Sequence, residues 1–199
     1  MLELAILGLL KEKPMHGYEL KKRLSYMLGH FWTVSYGSLY PALKRLEKMG
    51  SIEKAYSIKD KARTRNVYRI TKSGETLFMK LLRETAGDST LSDPEKFDTR
   101  MAFFQYLEPE VRLNILEKRK SYLEKQVESL KKYRVSNREE DHYRKGLMRH
   151  KVDQVKSEIR WIERLILHER ETINSRQKSV SKKAEMNSEE GKASAAWGA

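Results

Sequence analysis

The sequence predicts a mainly α protein in two parts. Three helices and a two-stranded β-hairpin come first, followed by long antiparallel helices with coiled-coil packing. Three observations predict this. Apolar residues recur at helical spacing in three stretches before residue 50, and two short alternating runs follow them. Beyond residue 109, apolar residues repeat in steps of four and three, the pattern of helices packed along a seam. Charge is also divided: residues 1–80 hold 16 Lys+Arg against 7 Asp+Glu, while residues 81–177 hold 21 against 18. Most of the +13 formal charge of the 199-residue chain therefore belongs to the first part, which suits a polyanionic partner.

The first helix spans about 2–11, on Leu2, Ala5, Ile6, Leu9 and Leu10, and Lys11–Pro14 breaks it. This apolar N-terminus has no basic residues before it, so it reads as a helix rather than a signal peptide. A second helix fits 16–29, with Tyr18, Leu20, Leu24 and Leu28 on one side, Lys21, Lys22 and Arg23 on the other, and Gly29 as its stop. The third has Ser35 as N-cap and runs to Met49 before Gly50. On a helical wheel Leu39, Leu43 and Leu46 fall within about 60° and must face the core. Gly37, Pro41, Lys44 and Lys48 lie opposite, flanked by Tyr40 and Arg45. Pro41 removes a backbone bond and is expected to kink the helix.

An outer face of cations, a phenol and a glycine, with free N–H groups at the helix start, has what a helix needs to enter a major groove. The same pattern also fits a solvated surface helix. Two strand-like runs follow, Ser51–Ile58 and Val67–Ile70, joined by the basic loop Lys59–Arg65. A basic hairpin directly after a basic helix is the winged form of the helix-turn-helix. Arg63 and Arg65 are placed to meet phosphates or a minor groove, although a hairpin kept soluble by its charge reads alike. Together, helix and wing favour double-stranded DNA. The candidate DNA-binding residues are Ser35, Tyr36, Gly37, Ser38, Tyr40, Lys44, Lys48, Arg63 and Arg65.

Three stretches carry a resemblance to a known family. They are Leu4–Leu10 running into His16-Gly17-Tyr18-Glu19-Leu20, then Ser35 to Glu47 with Gly50, then Arg63 with Tyr68-Arg69-Ile70-Thr71 and Gly74. These resemble the PadR-type transcriptional regulators, strongly over about residues 1–85. Pro41 is common there, whereas Thr64 and Asn66-Val67 depart from the family's wing. The layout of the remainder resembles the larger subfamily with an extended helical C-terminal domain, and Trp161 looks like that subfamily's tryptophan. The resemblance implies a homodimeric regulator, usually a repressor, that binds an inverted-repeat operator. It also implies a small hydrophobic molecule as effector.

Thr71 or Ser73 is expected to cap a helix over 72–85, with a linker over Gly87–Asp93. Phe97 to Leu107 form a short aromatic-rich helix. Its aromatics read as core packing or, through the resemblance, as a ligand pocket of Phe103, Phe104 and Trp161. Pro109 opens a long helix to about Tyr133, with Leu116, Leu123 and Leu130 a heptad apart and Val127 between them. After a polar break at Val135–Asn137, Met148, Val152, Val155, Ile159, Ile162 and Ile166 continue the seam, and Glu169 interrupts it. These nine apolar positions, Leu116 to Ile166, are the candidate dimerisation residues. From Lys178 the composition predicts disorder. The expected domains are thus a winged helix-turn-helix over 1–86, a helical dimerisation domain over 95–177 and a disordered tail over 178–199.

The chain has no cysteine, which fits a reducing cytoplasm, and no apolar run near the roughly 20 residues of a membrane span. No Walker loop, dinucleotide fingerprint, HExxH or GxSxG motif is present, so neither an enzyme nor a cofactor is expected. Glu139-Glu140-Asp141-His142 points in different directions on a helix, so no metal site is expected. Two rival readings remain, a sequence-tolerant architectural DNA-binding protein and a winged-helix module that binds protein.

Overall fold

A computed structural model describes residues 1–27, 35–60, 63–84, 91–136 and 141–196. Side chains are described throughout these except at 58–60, 63–64, 133–136 and 180–196. The expected helix stop at Gly29, residues 87–90 of the linker, and Glu139-Glu140 lie outside the described residues. The chain divides into two compact units, Met1–Leu107 and Glu108–Ala199.

In the first unit, α1 (Leu2–Glu12) is the central element. Leu4 to Leu10 are all buried, so this helix is enclosed on every side rather than amphipathic. Around it pack α2 (Gly17–Met27), α3 (Tyr36–Lys48), β3 (Arg63–Ile70), α4 (Lys72–Arg83) and α5 (Pro94–Met101). A short strand β1 (Met15–His16) and β2 (Ile52–Asp60) complete an antiparallel sheet in the order β1-β3-β2. The sequence predicts only two strands here. A two-residue strand after Pro14 is too short to show alternation, and it forms because β3 offers it a partner at Tyr68 and Val67.

The hairpin is also longer than expected. Pairing runs from Ile52↔Ile70 to Asp60↔Arg63, with an irregularity between Lys54 and Tyr56. Of the expected connecting loop, Lys59 and Asp60 are therefore β2 residues and Arg63 to Arg65 are β3 residues.

Two turns fix α3 relative to the sheet. Gly50, at φ 68°, ends α3, with Gly50 N–H bonded to the Glu47 carbonyl and Ser51 N–H to that of Leu46. Thr71 Oγ1 accepts the Gly74 N–H at 3.1 Å to cap α4 and donates to the Gly50 carbonyl at 2.6 Å. Gly74 has no room for a Cβ, which would collide with the Ser51 carbonyl. The helix α3 passes Pro41 unbroken. The carbonyl that Pro41 leaves without an N–H belongs to exposed Gly37, where water can satisfy it.

Residues 95–107, expected in the second domain, pack into the first unit. Phe103 is fully buried against Gly8 and meets Phe78 edge-on at 5.7 Å. Buried Arg100 donates through Nη2 to the carbonyls of Leu81 and Glu84, covering the C-terminal end of α4. Burial holds its guanidinium below the ordinary arginine value, and the Glu84 charge opposes that shift.

The second unit is an antiparallel hairpin of α6 (Pro109–Ser136) and α7 (His142–Ala196). Leu116, Leu123, Ile162 and Ile166, expected in a seam between chains, are already buried within one chain. Leu130, Met148, Val152, Val155 and Ile159 are half-buried. Ion pairs Arg119–Glu158, Lys120–Glu163, Arg112–Glu169, Glu117–Arg170 and Glu108–Arg176 step along the hairpin at 2.6–3.1 Å. The interruption at Glu169 is explained by one of them: Glu169 Oε2 meets Arg112 Nη2 at 2.8 Å, outside hydrogen-bond geometry.

A disordered tail is expected from Lys178, but the backbone stays helical to Ala196. That stretch has no proline and is rich in Ala, Glu and Lys, all good helix formers.

Candidate nucleic-acid interface

The side chains of α3 divide sharply. Leu39, Ala42, Leu43 and Leu46 are buried, while Tyr36, Gly37, Ser38, Tyr40, Lys44 and Lys48 are exposed. Ser35 is exposed as well and is the N-cap: its Oγ accepts the Ser38 N–H at 3.1 Å, and Ser38 Oγ donates to the Ser35 carbonyl. Both hydroxyls thus order the first turn. A Cβ on Gly37 would meet only Ser35 Oγ, at 3.6 Å, so packing within the unit does not demand glycine there. Tyr36 and Tyr40 stack with centroids 6.1 Å apart, and Lys21 Nζ from α2 lies 3.8 Å from the Tyr36 centroid.

The acids of this part of the chain pair with some of its cations. Each described acidic side chain of residues 1–80 is engaged by a cation. Glu3 holds Arg45, Glu12 holds Arg23, Glu19 holds Lys13 and Arg23, Glu47 holds Lys54, Glu53 holds Arg69, and Glu75 holds Lys11. The hydrogen bond from Lys13 lowers the Glu19 carboxyl below its usual value, helped by the charges of Lys13, Arg23 and His16 and opposed by burial. Lys44 and Lys48 have no acid partner among the described residues.

Beside the start of α3 lies a cleft of about 720 Å³ lined by His16, Gly17, Tyr18, Tyr36, Tyr40, Arg65, Asn66 and Tyr68. It brings together three predicted residues, Tyr36, Tyr40 and Arg65. Lys44 and Lys48 lie further along α3 and do not line it. The Arg63 backbone pairs with Asp60 in the hairpin, and its side chain lies outside those described.

Sequence reasoning did not select His16, Tyr18, Lys21, Asn66 or Tyr68 as site residues. The signal for the first two was the His16-Gly17-Tyr18 run, which the periodicity argument absorbed into α2. Of the predicted ligand pocket, Phe103 is instead a core residue, Phe104 is half-buried in the first unit, and Trp161 is half-buried on α7 in the second. Among the described residues there is no group of three or more potential metal ligands, and no helix is long and apolar enough to cross a membrane.

A model of the transcriptional regulator PadR-like family matches residues 6–80. The negative transcriptional regulator PadR of Bacillus subtilis is 33% identical over 75 residues, 38% of this chain, and the match spans only 41% of that protein's length. A transcriptional regulator from Clostridium thermocellum is 32% identical, with 39% of this chain and 75% of that one covered, at a TM-score of 0.37. Bacillus subtilis PadR in complex with operator DNA is 22% identical, with 84% of this chain and 98% of that one covered, at a TM-score of 0.41.

Proposed function

The chain belongs to the PadR-like family of transcriptional regulators, and from that premise we propose that it is a homodimeric, sequence-specific DNA-binding repressor. The observation that carries this reading is the outer face of α3. It is polar and aromatic, holds two lysines with no acid partner among the described residues, and stands opposite four buried apolar residues. In this reading Gly37, Ser38, Tyr40 and Lys44 meet base edges in a major groove, with Ser35 and Tyr36 at its rim. Lys48, Arg63 and Arg65 meet phosphate, the arginines from the wing. The open space above Gly37 supports close approach of a base pair.

The second unit pairs two chains, so that two α3 helices enter successive major grooves about 34 Å apart on an inverted repeat. Leu147 and Leu167 of α7 support this, being 57% and 58% exposed in a single chain, together with half-buried Met148, Val152, Val155 and Ile159. The buried positions Leu116, Leu123, Ile162 and Ile166 hold the hairpin that presents them. Repression is the sign that the name of the Bacillus subtilis relative gives for that protein. A small hydrophobic effector acting near Trp161 completes the reading, with quenching of that tryptophan's fluorescence as its signal.

The test is a gel-shift titration on the DNA upstream of the chain's own gene, with unrelated duplex as competitor. Binding that survives excess competitor is expected. Equal loss to any duplex would instead support an architectural protein. Absence of binding at low salt would support a protein-interaction module.

A further inference from the structure

The run His16-Gly17-Tyr18 has no part in the groove-facing side of α3, yet the fold carries it to the edge of that face. His16 is half-buried, and its Nδ1 accepts the Glu19 N–H at 3.1 Å in the first turn of α2. That bond assigns the tautomer of the neutral ring: Nδ1 is bare, and the proton sits on Nε2. Gly17 is buried, and a Cβ there would stand 3.2 Å from the Tyr40 ring, tighter than ordinary contact. The missing side chain lets that ring settle against the backbone. Tyr18 follows, 58% exposed.

All three line the cleft with Tyr36, Tyr40, Arg65, Asn66 and Tyr68. Asn66 Oδ1 accepts from Ser57 Oγ at 3.0 Å, which leaves the amide NH2 as its donor end. Among the described residues, no acidic residue lines this cleft. Its polar groups are an arginine, an imidazole N–H, an amide and phenols, and its walls are aromatic rings. Such a lining matches an oxyanion joined to a compact apolar body. A phosphodiester with its deoxyribose has that form. The cleft opens between the first turn of α3 and β3, the two elements that the proposed function sets against DNA.

We propose that this cleft seats one DNA phosphodiester and its sugar, with His16 donating from Nε2 and Arg65 supplying positive charge. The proposal rests on the DNA-binding reading above. It makes His16 a bifunctional residue: one nitrogen orders the start of α2, and the other binds phosphate.

Substitutions separate the two nitrogens. In His16→Asn the side-chain oxygen can still accept the Glu19 N–H, as asparagine does at helix starts, but the Nε2 donor is lost. His16→Gln places an amide donor near the Nε2 position and gives up the acceptor near the backbone. Both are compared with the parent chain by fluorescence anisotropy on a labelled duplex from the chain's own upstream region, with salt varied, and by thermal melting. The expected result for His16→Asn is an unchanged melting temperature, an unchanged salt slope and about 10-fold weaker binding, the scale of one hydrogen bond to a charged acceptor. His16→Gln is expected to melt earlier yet bind more tightly than His16→Asn. Arg65→Ala is expected to lower the salt slope by about one unit, since it removes a charge. Parental affinity in His16→Asn, or no recovery in His16→Gln, would overturn the phosphate seat while leaving the DNA-binding reading intact. A parent chain that binds no duplex at low salt would overturn both.

Discussion

The two units contain similar amounts of positive charge and use it in opposite ways. In residues 1–80, 16 Lys+Arg meet 7 Asp+Glu, so the acids are consumed before the cations. Those acids hold Arg45, Arg23, Lys54, Arg69, Lys11 and Lys13, and the outer face of α3 keeps Lys44 and Lys48. In the second unit 22 Lys+Arg meet 16 Asp+Glu, and the acids of each helix reach the cations of the other. The first unit is held by apolar burial around α1, with ion pairs between its elements at the surface. The second is a thin two-helix layer in which ion pairs fix the register.

Phe103→Ala is the largest test of this comparison. The ring fills the space between Gly8 and Phe78, so its loss is expected to destabilise the first unit by about 4 kcal/mol in urea unfolding. A loss below about 1 kcal/mol would show that residues 94–107 are not part of that core.

The second unit is tested by a mutant cycle on Arg112 and Glu169. Glu169→Leu alone strands a largely buried guanidinium charge and is expected to cost about 3 kcal/mol. Adding Arg112→Met is expected to recover most of that loss, because an apolar pair of similar volume replaces the ionic one. Additive costs would mean that the two side chains do not depend on one another.

A smaller effect is expected at Glu19. Its carboxyl titrates below the usual value because Lys13 hydrogen-bonds to the charged form. The stability this contributes is present above the unfolded-state pKa and is lost as pH falls through the lower folded-state value. The side chain is about a third exposed, so the contribution is less than about 1 kcal/mol. Glu19→Gln should flatten this part of the acid limb in melting temperature against pH, and an unaltered limb would exclude the Lys13 pair as its source.

Much of this was legible in the sequence where side-chain periodicity reports burial. Leu39, Leu43 and Leu46 fixed the orientation of α3, and the Ser35 cap and Gly50 stop fixed its ends. What escaped was set by partners distant in sequence. The strand Met15–His16 exists because β3 lies beside it. Phe103 belongs to the first unit because Gly8 leaves room for its ring, a match no local pattern displays. The seam through Leu116, Leu123, Ile162 and Ile166 shows that helices pack, but a 4-3 pattern is the same whether the partner is the same chain or another. For the candidate site, charge and exposure on α3 could be read directly. The cleft needed the fold, since it joins residues 16–18 to residues 65–68.

The central claim is that the cations left unmatched on α3 bind DNA, and salt dependence measures that most directly. The affinity of the parent chain and of the Lys44→Ala, Lys48→Ala double variant for the upstream duplex should be followed from low to moderate salt. The account predicts weaker binding, a log–log salt slope reduced by about one unit as Lys48 is withdrawn from phosphate, and an unchanged melting temperature. An unchanged slope and affinity would contradict it and place the DNA contact, if any, on another face.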